Sequence, residues 1–190
     1  MTRTKKLLFV HIPRNAGKSV AAALRRKLKG RKVEWEHARL KDANFSMRGL
    51  TKFCVVRNPY ERMVSLWMFI ANHKLSYETR NGKRRKAQEL QKMGFEWWLL
   101  NHGKKSHNII TSDTPQVAWM TRHGKFKMDH VIRFENLVED FCDVTGLAAD
   151  VLPVTHQTQH SEYQKYYTKA AREYVAKVFK PDIKRWGYKF

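Results

Sequence analysis

The sequence predicts an α/β fold, a central parallel sheet flanked by helices on both faces, in a single domain spanning residues 1–190. Three observations predict it. Continuous apolar runs such as Leu7-Leu8-Phe9-Val10 suit strands buried on both faces. Segments with apolar residues at helical spacing alternate with those runs. Finally, 190 residues are enough for one sizeable core, and no repeat, Ser/Gly linker or low-complexity tail divides them.

The first strand is expected over residues 5–11, where a basic start gives way to the apolar run. A turn-rich stretch, Pro13-Arg14-Asn15-Ala16-Gly17, follows. Val20, Ala21, Leu24 and Leu28 then share one helical face, and Gly30 stops the helix. A short second strand is expected over 33–36 and a clearer third over 52–56. After Asn58-Pro59, the residues Tyr60, Met63, Val64, Trp67 and Met68 recur at the strongest helical spacing in the chain. Residues 74–93 break the rhythm, with five positive charges between Arg80 and Lys86. The run reads as a solvated basic excursion or as a flap over an anionic ligand, the first being favoured. Helix is expected again around Phe95–Leu100, with one of Trp97 and Trp98 facing inward. A fourth strand is expected over 130–134, a helix over 135–144 and a loop over about 147–161. The last long helix buries Ala171, Tyr174, Val175, Val178 and Phe179, with Thr168 as its N-cap.

Composition narrows the function. Apolar residues make up 42% and charged residues 29%, which excludes a chain disordered throughout. Lys and Arg number 38 against 17 Asp and Glu, a net charge of +21 that expects polyanionic partners. Cys54 and Cys142 form no CxxC pair, so neither a disulfide framework nor a zinc knuckle is expected, and a reducing compartment fits. The longest apolar runs are far below the ~20 residues of a membrane span, and no signal peptide is legible. A soluble, cytoplasmic protein is the expectation.

Two segments carry chemistry. In His11-Ile12-Pro13-Arg14-Asn15-Ala16-Gly17-Lys18-Ser19, a loop between strand and helix offers backbone N–H groups at the positive end of the helix dipole. Ala16 and Gly17 let an anion approach, while Arg14, Lys18 and Ser19 add charge and a hydroxyl donor. The Gly-Lys-Ser ending is P-loop-like, although the full triphosphate pattern would need glycine in place of Ile12. In the second segment the strand over 52–56 ends in Arg57, where a phosphoryl-transfer enzyme would often place a metal-binding Asp. Arg57 can fork onto a phosphate, and Ser65, two helical turns later, can donate a second hydrogen bond. Two phosphate sites without an obvious magnesium ligand argue against phosphoryl transfer.

These residues resemble the PAPS-dependent sulfotransferases, and most closely their carbohydrate branch, which includes short soluble bacterial and viral relatives. The loop 11–19 looks like the family's 5′-phosphosulfate loop. Phe53-Cys54-Val55-Val56-Arg57-Asn58-Pro59-Tyr60-Glu61-Arg62-Met63-Val64-Ser65-Leu66-Trp67 looks like its 3′-phosphate motif. Further matches are His37, Val131-Ile132-Arg133-Phe134-Glu135-Asn136-Leu137, and the ending from Tyr163 to Phe190. The resemblance implies PAPS as sulfuryl donor, PAP as product, no metal and a hydroxyl-bearing acceptor, with an acidic glycan favoured by the charge. It places Arg14, Asn15, Ala16, Gly17, Lys18, Ser19, Arg57 and Ser65 around the cofactor. Arg14 stands where the family commonly has Lys, and Lys18 where it has Thr or Ser. Arginine donates no proton at neutral pH, so Arg14 can stabilise the leaving phosphate only electrostatically, a task Lys18 can share.

A base must take the acceptor's proton, and a histidine suits neutral pH. Among nine histidines, His37 is selected because it follows a short strand beside the first loop and matches the family position for the base. Glu34 and Glu36 are in reserve. His11 reads as a packing residue at a strand end, while His102, His107, His156 and His160 lie in loops. Two competing classes are a P-loop kinase or NTPase, which needs Mg²⁺ and an Asp ligand, and a basic nucleic-acid-binding module. The charge would supply the latter's salt-sensitive affinity, yet no zinc-finger, helix-turn-helix or RNP pattern is present.

Overall fold

The computed structural model describes residues 1–72, 77–78, 84–85, 87–101, 114–152 and 162–190. In chain order, the first half contains β1 (Thr2–Arg3), β2 (Leu7–Val10), α1 (Gly17–Leu28), β3 (Arg31–Lys32), β4 (Thr51–Val56), α2 (Pro59–Asn72), β5 (Tyr77–Glu78) and β6 (Arg84–Arg85). There follow α3 (Ala87–Asn101), β7 (Thr121–Arg122), β8 (Lys125–Phe126), β9 (His130–Arg133), α4 (Leu137–Thr145), α5 (Lys169–Val178) and α6 (Lys180–Trp186). These elements form two compact units, Met1–Arg57 with Gln116–Gln157, and Asn58–Pro115 with Thr158–Phe190.

The first unit holds a five-stranded sheet in the order β3-β1-β2-β4-β9. Its centre is parallel: Leu7 to Val10 pair with Thr51 to Cys54, and Phe53 to Val56 pair with His130 to Arg133. Leu8, Phe9, Val10, Phe53, Cys54, Val55 and Val56 are all buried, as continuous apolar runs require. One face of the sheet, Phe9, Phe53, Val55 and Ile132, packs against Val20, Ala21 and Leu24 of α1 and Phe141 of α4. Each large side chain buried there contributes about 1.5–3 kcal/mol. α1 ends at Leu28, where Lys29 itself adopts the left-handed conformation (φ 51°) and its N–H reaches the Leu24 carbonyl, one residue earlier than the expected stop at Gly30.

The expected strand over 33–36 is corrected. The edge strand is Arg31–Lys32, and it pairs antiparallel with β1, which in turn pairs antiparallel with β2. Val33-Glu34-Trp35-Glu36 alternates like a strand, but a turn closes there, with Ala38 N–H donating to the Trp35 carbonyl at 3.1 Å. Trp35 is 56% exposed, so the alternation marks no buried face. Two reversals of direction nevertheless leave β3 running the same way as β2. Thr2 faces both Phe9 and Lys32, so the ends of β2 and β3 lie level. The carboxyl ends of β2, β3 and β4 therefore share one edge.

The second unit is helical. Met63, Val64, Leu66 and Ile70 of α2 pack with Leu90, Phe95, Trp98 and Leu99 of α3 and Ala171 and Val175 of α5. Trp98 is the inward member of its pair, and Trp67 and Trp97 are half-buried against the same cluster. α3 begins earlier than expected and breaks at Gly94 (φ 80°). Thr168 caps α5, accepting from Ala171 N–H at 3.3 Å. Among the described residues, no helix is long and apolar enough to cross a membrane. Most of the basic run 80–86, residues 153–161 of the expected loop and His102, His107, His156 and His160 lie outside the described residues.

Candidate active site

The sheet's shared carboxyl edge is where open α/β sheets gather ligands. β2 delivers the loop 11–19 there. Arg14 (φ 67°) and Ala16 (φ 55°) both sit in the left-handed region, uncommon for residues with a side chain. Left-handed residues leading into a helix make a concave run of amides that cups an anion. Ala16 is the N-cap of α1 and brings no side-chain acceptor, and the first turn carries no acidic residue. The helix opens with Val20 N–H on the Ala16 carbonyl at 3.1 Å, and the Ala16 side chain offers the first-turn amides no acceptor. Gly17 is required by a close approach, since a Cβ there would overlap the His11 imidazole.

β4 delivers Arg57, which is 3% exposed. Its Nη1 donates to the Arg14 carbonyl at 3.2 Å, and its guanidinium lies 4.0 Å over the Phe134 ring. A buried cation clamped between a loop carbonyl and an aromatic face is pre-organised for a second anionic group. Burial, with the Arg57 charge adding to it, pushes the Arg14 guanidinium down to about 10, still a cation at neutral pH. Lys18 is exposed on the first turn of α1.

Sequence reading missed Gln116. It is fully buried, and its Oε1 accepts from Asn15 Nδ2 at 2.6 Å and from Arg57 N–H at 3.0 Å. Its Nε2 donates to the Arg57 carbonyl at 2.9 Å. Asn15 also donates to the Val55 carbonyl at 2.7 Å. One amide thus ties the loop after β2 to the end of β4. No local pattern betrays such a residue, because its partners lie 59 and 101 positions away. Gln116→Leu is expected to leave these groups unsatisfied at a cost of about 1–3 kcal/mol. A thermal melt reads this directly, and an unchanged melting temperature would make the cross-link immaterial.

The third strand brings His37. Its Nδ1 lies 3.3 Å from the His11 carbonyl, and the two imidazoles meet edge to face at 4.5 Å. Trp119 Nε1 donates to the His37 carbonyl at 3.1 Å, fixing the turn. Burial pushes His11 down to about 2, with His37, the N-terminus, Lys18 and Arg25 adding to it. Burial also lowers His37, opposed by its hydrogen bond to His11 and by Glu36. Both rings are neutral at pH 7. Donation from Nδ1 to the carbonyl leaves the His37 Nε2 lone pair as the proton acceptor.

The first unit therefore assembles His37, Arg14, Asn15, Ala16, Gly17, Lys18, Ser19 and Arg57. Ser65 lies on α2 in the second unit and is 1% exposed. A family model described as the sulfotransferase family matches residues 1–189. No curated protein and no solved structure matches the chain. The match favours sulfuryl transfer over the phosphoryl-transfer and nucleic-acid readings, and the chain belongs to the sulfotransferase family.

Proposed function

We propose that this transferase moves the sulfuryl group of PAPS to a hydroxyl of a carbohydrate acceptor, with His37 as general base. The observation that carries the reading is the meeting of a phosphate-cupping loop, a buried arginine and a neutral imidazole at one sheet edge. The residues present fit the cofactor. An N-cap without a side-chain acceptor and a first turn without an acid suit the 5′-phosphate end, and Arg57 suits the 3′-phosphate. The sequence motif adds Ser65 to that second site.

When bound, PAPS supplies an activated sulfuryl group and leaves as PAP. His37 Nε2 takes the acceptor's proton as the acceptor oxygen bonds to sulfur, and the bond from sulfur to the 5′-phosphate oxygen breaks. Arg14, Lys18 and the loop amides neutralise the charge gathering on that oxygen. Arginine cannot protonate the leaving group at neutral pH, and a phosphate needs no proton to leave. Net charge of +21 favours an acceptor that is itself acidic.

Incubation with labelled PAPS and a glycan panel, followed by mass spectrometry of the products, tests the reading. A sulfated glycan is expected, and label recovered only on a protein or lipid would overturn the acceptor class. Arg57→Ala removes a charge-assisted bond worth about 1.5–3 kcal/mol. PAP is expected to bind roughly 10- to 100-fold more weakly to this variant, with adenosine 5′-phosphate little affected. Calorimetry that finds equal losses for both nucleotides would remove Arg57 from the 3′-phosphate site.

A further inference from the structure

His11, Glu36 and His37 form a cluster that general-base chemistry leaves partly unexplained. One ligand atom from each lies within 4.8 Å of those of the other two. His11 Nδ1 and Glu36 Oε1 are 3.4 Å apart. Zinc bonds of about 2.0–2.2 Å to nitrogen and oxygen place tetrahedral ligands roughly 3.4 Å from one another. One edge of such a tetrahedron is thus already formed, and the Glu36 side chain, 46% exposed, can turn to adjust the others.

Chemistry agrees with geometry. Ligating histidines characteristically donate their second ring N–H to a carbonyl or carboxylate, as His37 Nδ1 does toward the His11 carbonyl. Two imidazoles and one carboxylate suit zinc, whereas magnesium demands an octahedron of oxygens. The backbone is held as well, by Trp119 on His37 and by the turn from Trp35 to Ala38.

We propose that His11, Glu36 and His37 form a site for one Zn²⁺ ion, and that its occupancy occupies the His37 lone pair and reversibly inhibits sulfuryl transfer. The inhibition rests on the base role proposed for His37, while the binding does not. In the transfer reaction proposed above no residue needs a metal, and zinc acts here as a brake.

Co²⁺ is the spectroscopic probe, titrated into the intact, chelator-stripped protein. One equivalent should develop the visible bands of a four-coordinate nitrogen–oxygen site, and Zn²⁺ should bleach them. Glu36→Gln alters an exposed side chain without disturbing the fold, and should weaken Co²⁺ binding at least 10- to 100-fold. His37→Ala should do the same, which separates this cluster from the other histidines of the chain. Wild-type affinity in both variants, or octahedral bands only, overturns the site. Zinc should also abolish turnover in proportion to occupancy, and EDTA should restore it. Zinc bound in full with turnover unchanged overturns the inhibition. If His37→Ala stays active in EDTA while the Co²⁺ site is lost, the base assignment falls and the metal site stands.

Discussion

Replacing His37 with Ala is expected to slow sulfuryl transfer by ~10²–10⁴-fold, the scale for losing a positioned base, while PAP affinity stays near that of the wild type. The separation follows from position. His37 reaches the edge on the turn after β3, and its ring meets the His11 carbonyl, the His11 ring and the Trp35 ring. The pH profile gives a second readout. Burial is the largest influence on His37 and lowers its pKa, so the protonated, inactive form accumulates only below the ordinary histidine value of ~6.5. With EDTA present, kcat/KM should be flat through neutral pH and fall on an acid limb centred below that value. An acid limb centred above ~6.5 would contradict a desolvated base. Turnover by His37→Ala within tenfold of wild type, on a genuine acceptor, would move the base elsewhere, and Glu36→Gln is then the next variant.

The same linkage bears on stability. His11 is held neutral in the folded protein down to about pH 2 and titrates near ~6.5 when unfolded. Its contribution is complete above ~6.5 and is lost as pH falls below it, because the unfolded chain then binds the extra proton. Acid sensitivity of the fold should therefore begin in the histidine range, earlier than carboxylate titration alone would bring it.

What the sequence made legible follows the range of the interactions involved. β2 and β4 could be read because a strand buried on both faces announces itself within four to six residues, whereas β9, with only Ile132 buried, carries a shorter apolar signal in Val131-Ile132. Thr168 could be read as a cap because its partner, Ala171, is three residues away. The loop 11–19 was legible because an anion site at a helix start is built from consecutive residues. β1 was not, since Thr2 and Arg3 have no apolar pattern and two residues are too short for a period to show. The small hairpin of β7 and β8 left a weak signal in His123-Gly124, both of which take positive φ in its turn. Its strands, at two residues each, are too short for a period to show. The misplaced strand at 33–36 still led to the right edge for His37, because the direction of β3 relative to β2 survives the error. Gln116 and the partnership of Arg57 with Phe134 were beyond local reading for the same reason: each joins segments that meet only in the folded sheet.

Gly17→Ala is expected to damage the site more than its single methyl suggests. Gly17 opens α1 in helical conformation, so the backbone itself tolerates alanine; space does not. The new Cβ would coincide with the imidazole of His11, a ring 4% exposed and held on three sides. Phe9 stacks on it at 5.8 Å, His37 meets it at 4.5 Å, and Glu36 faces its Nδ1. Relief requires either that the ring leave its pocket, disturbing His37, or that the helix start retreat, opening the anion loop. Overpacking of this kind costs about 1–3 kcal/mol, and here the strain falls on two functional groups together. The variant should melt lower, bind PAP more weakly and turn over more slowly. Compensation discriminates the cause: His11→Ala in the Gly17→Ala background removes the obstructing ring, and the two changes should be strongly non-additive. The double variant is expected to recover PAP binding relative to Gly17→Ala alone. Strict additivity in both melting temperature and PAP affinity would mean that the methyl acts through something other than His11, and that the loop does not depend on the contact between glycine and imidazole.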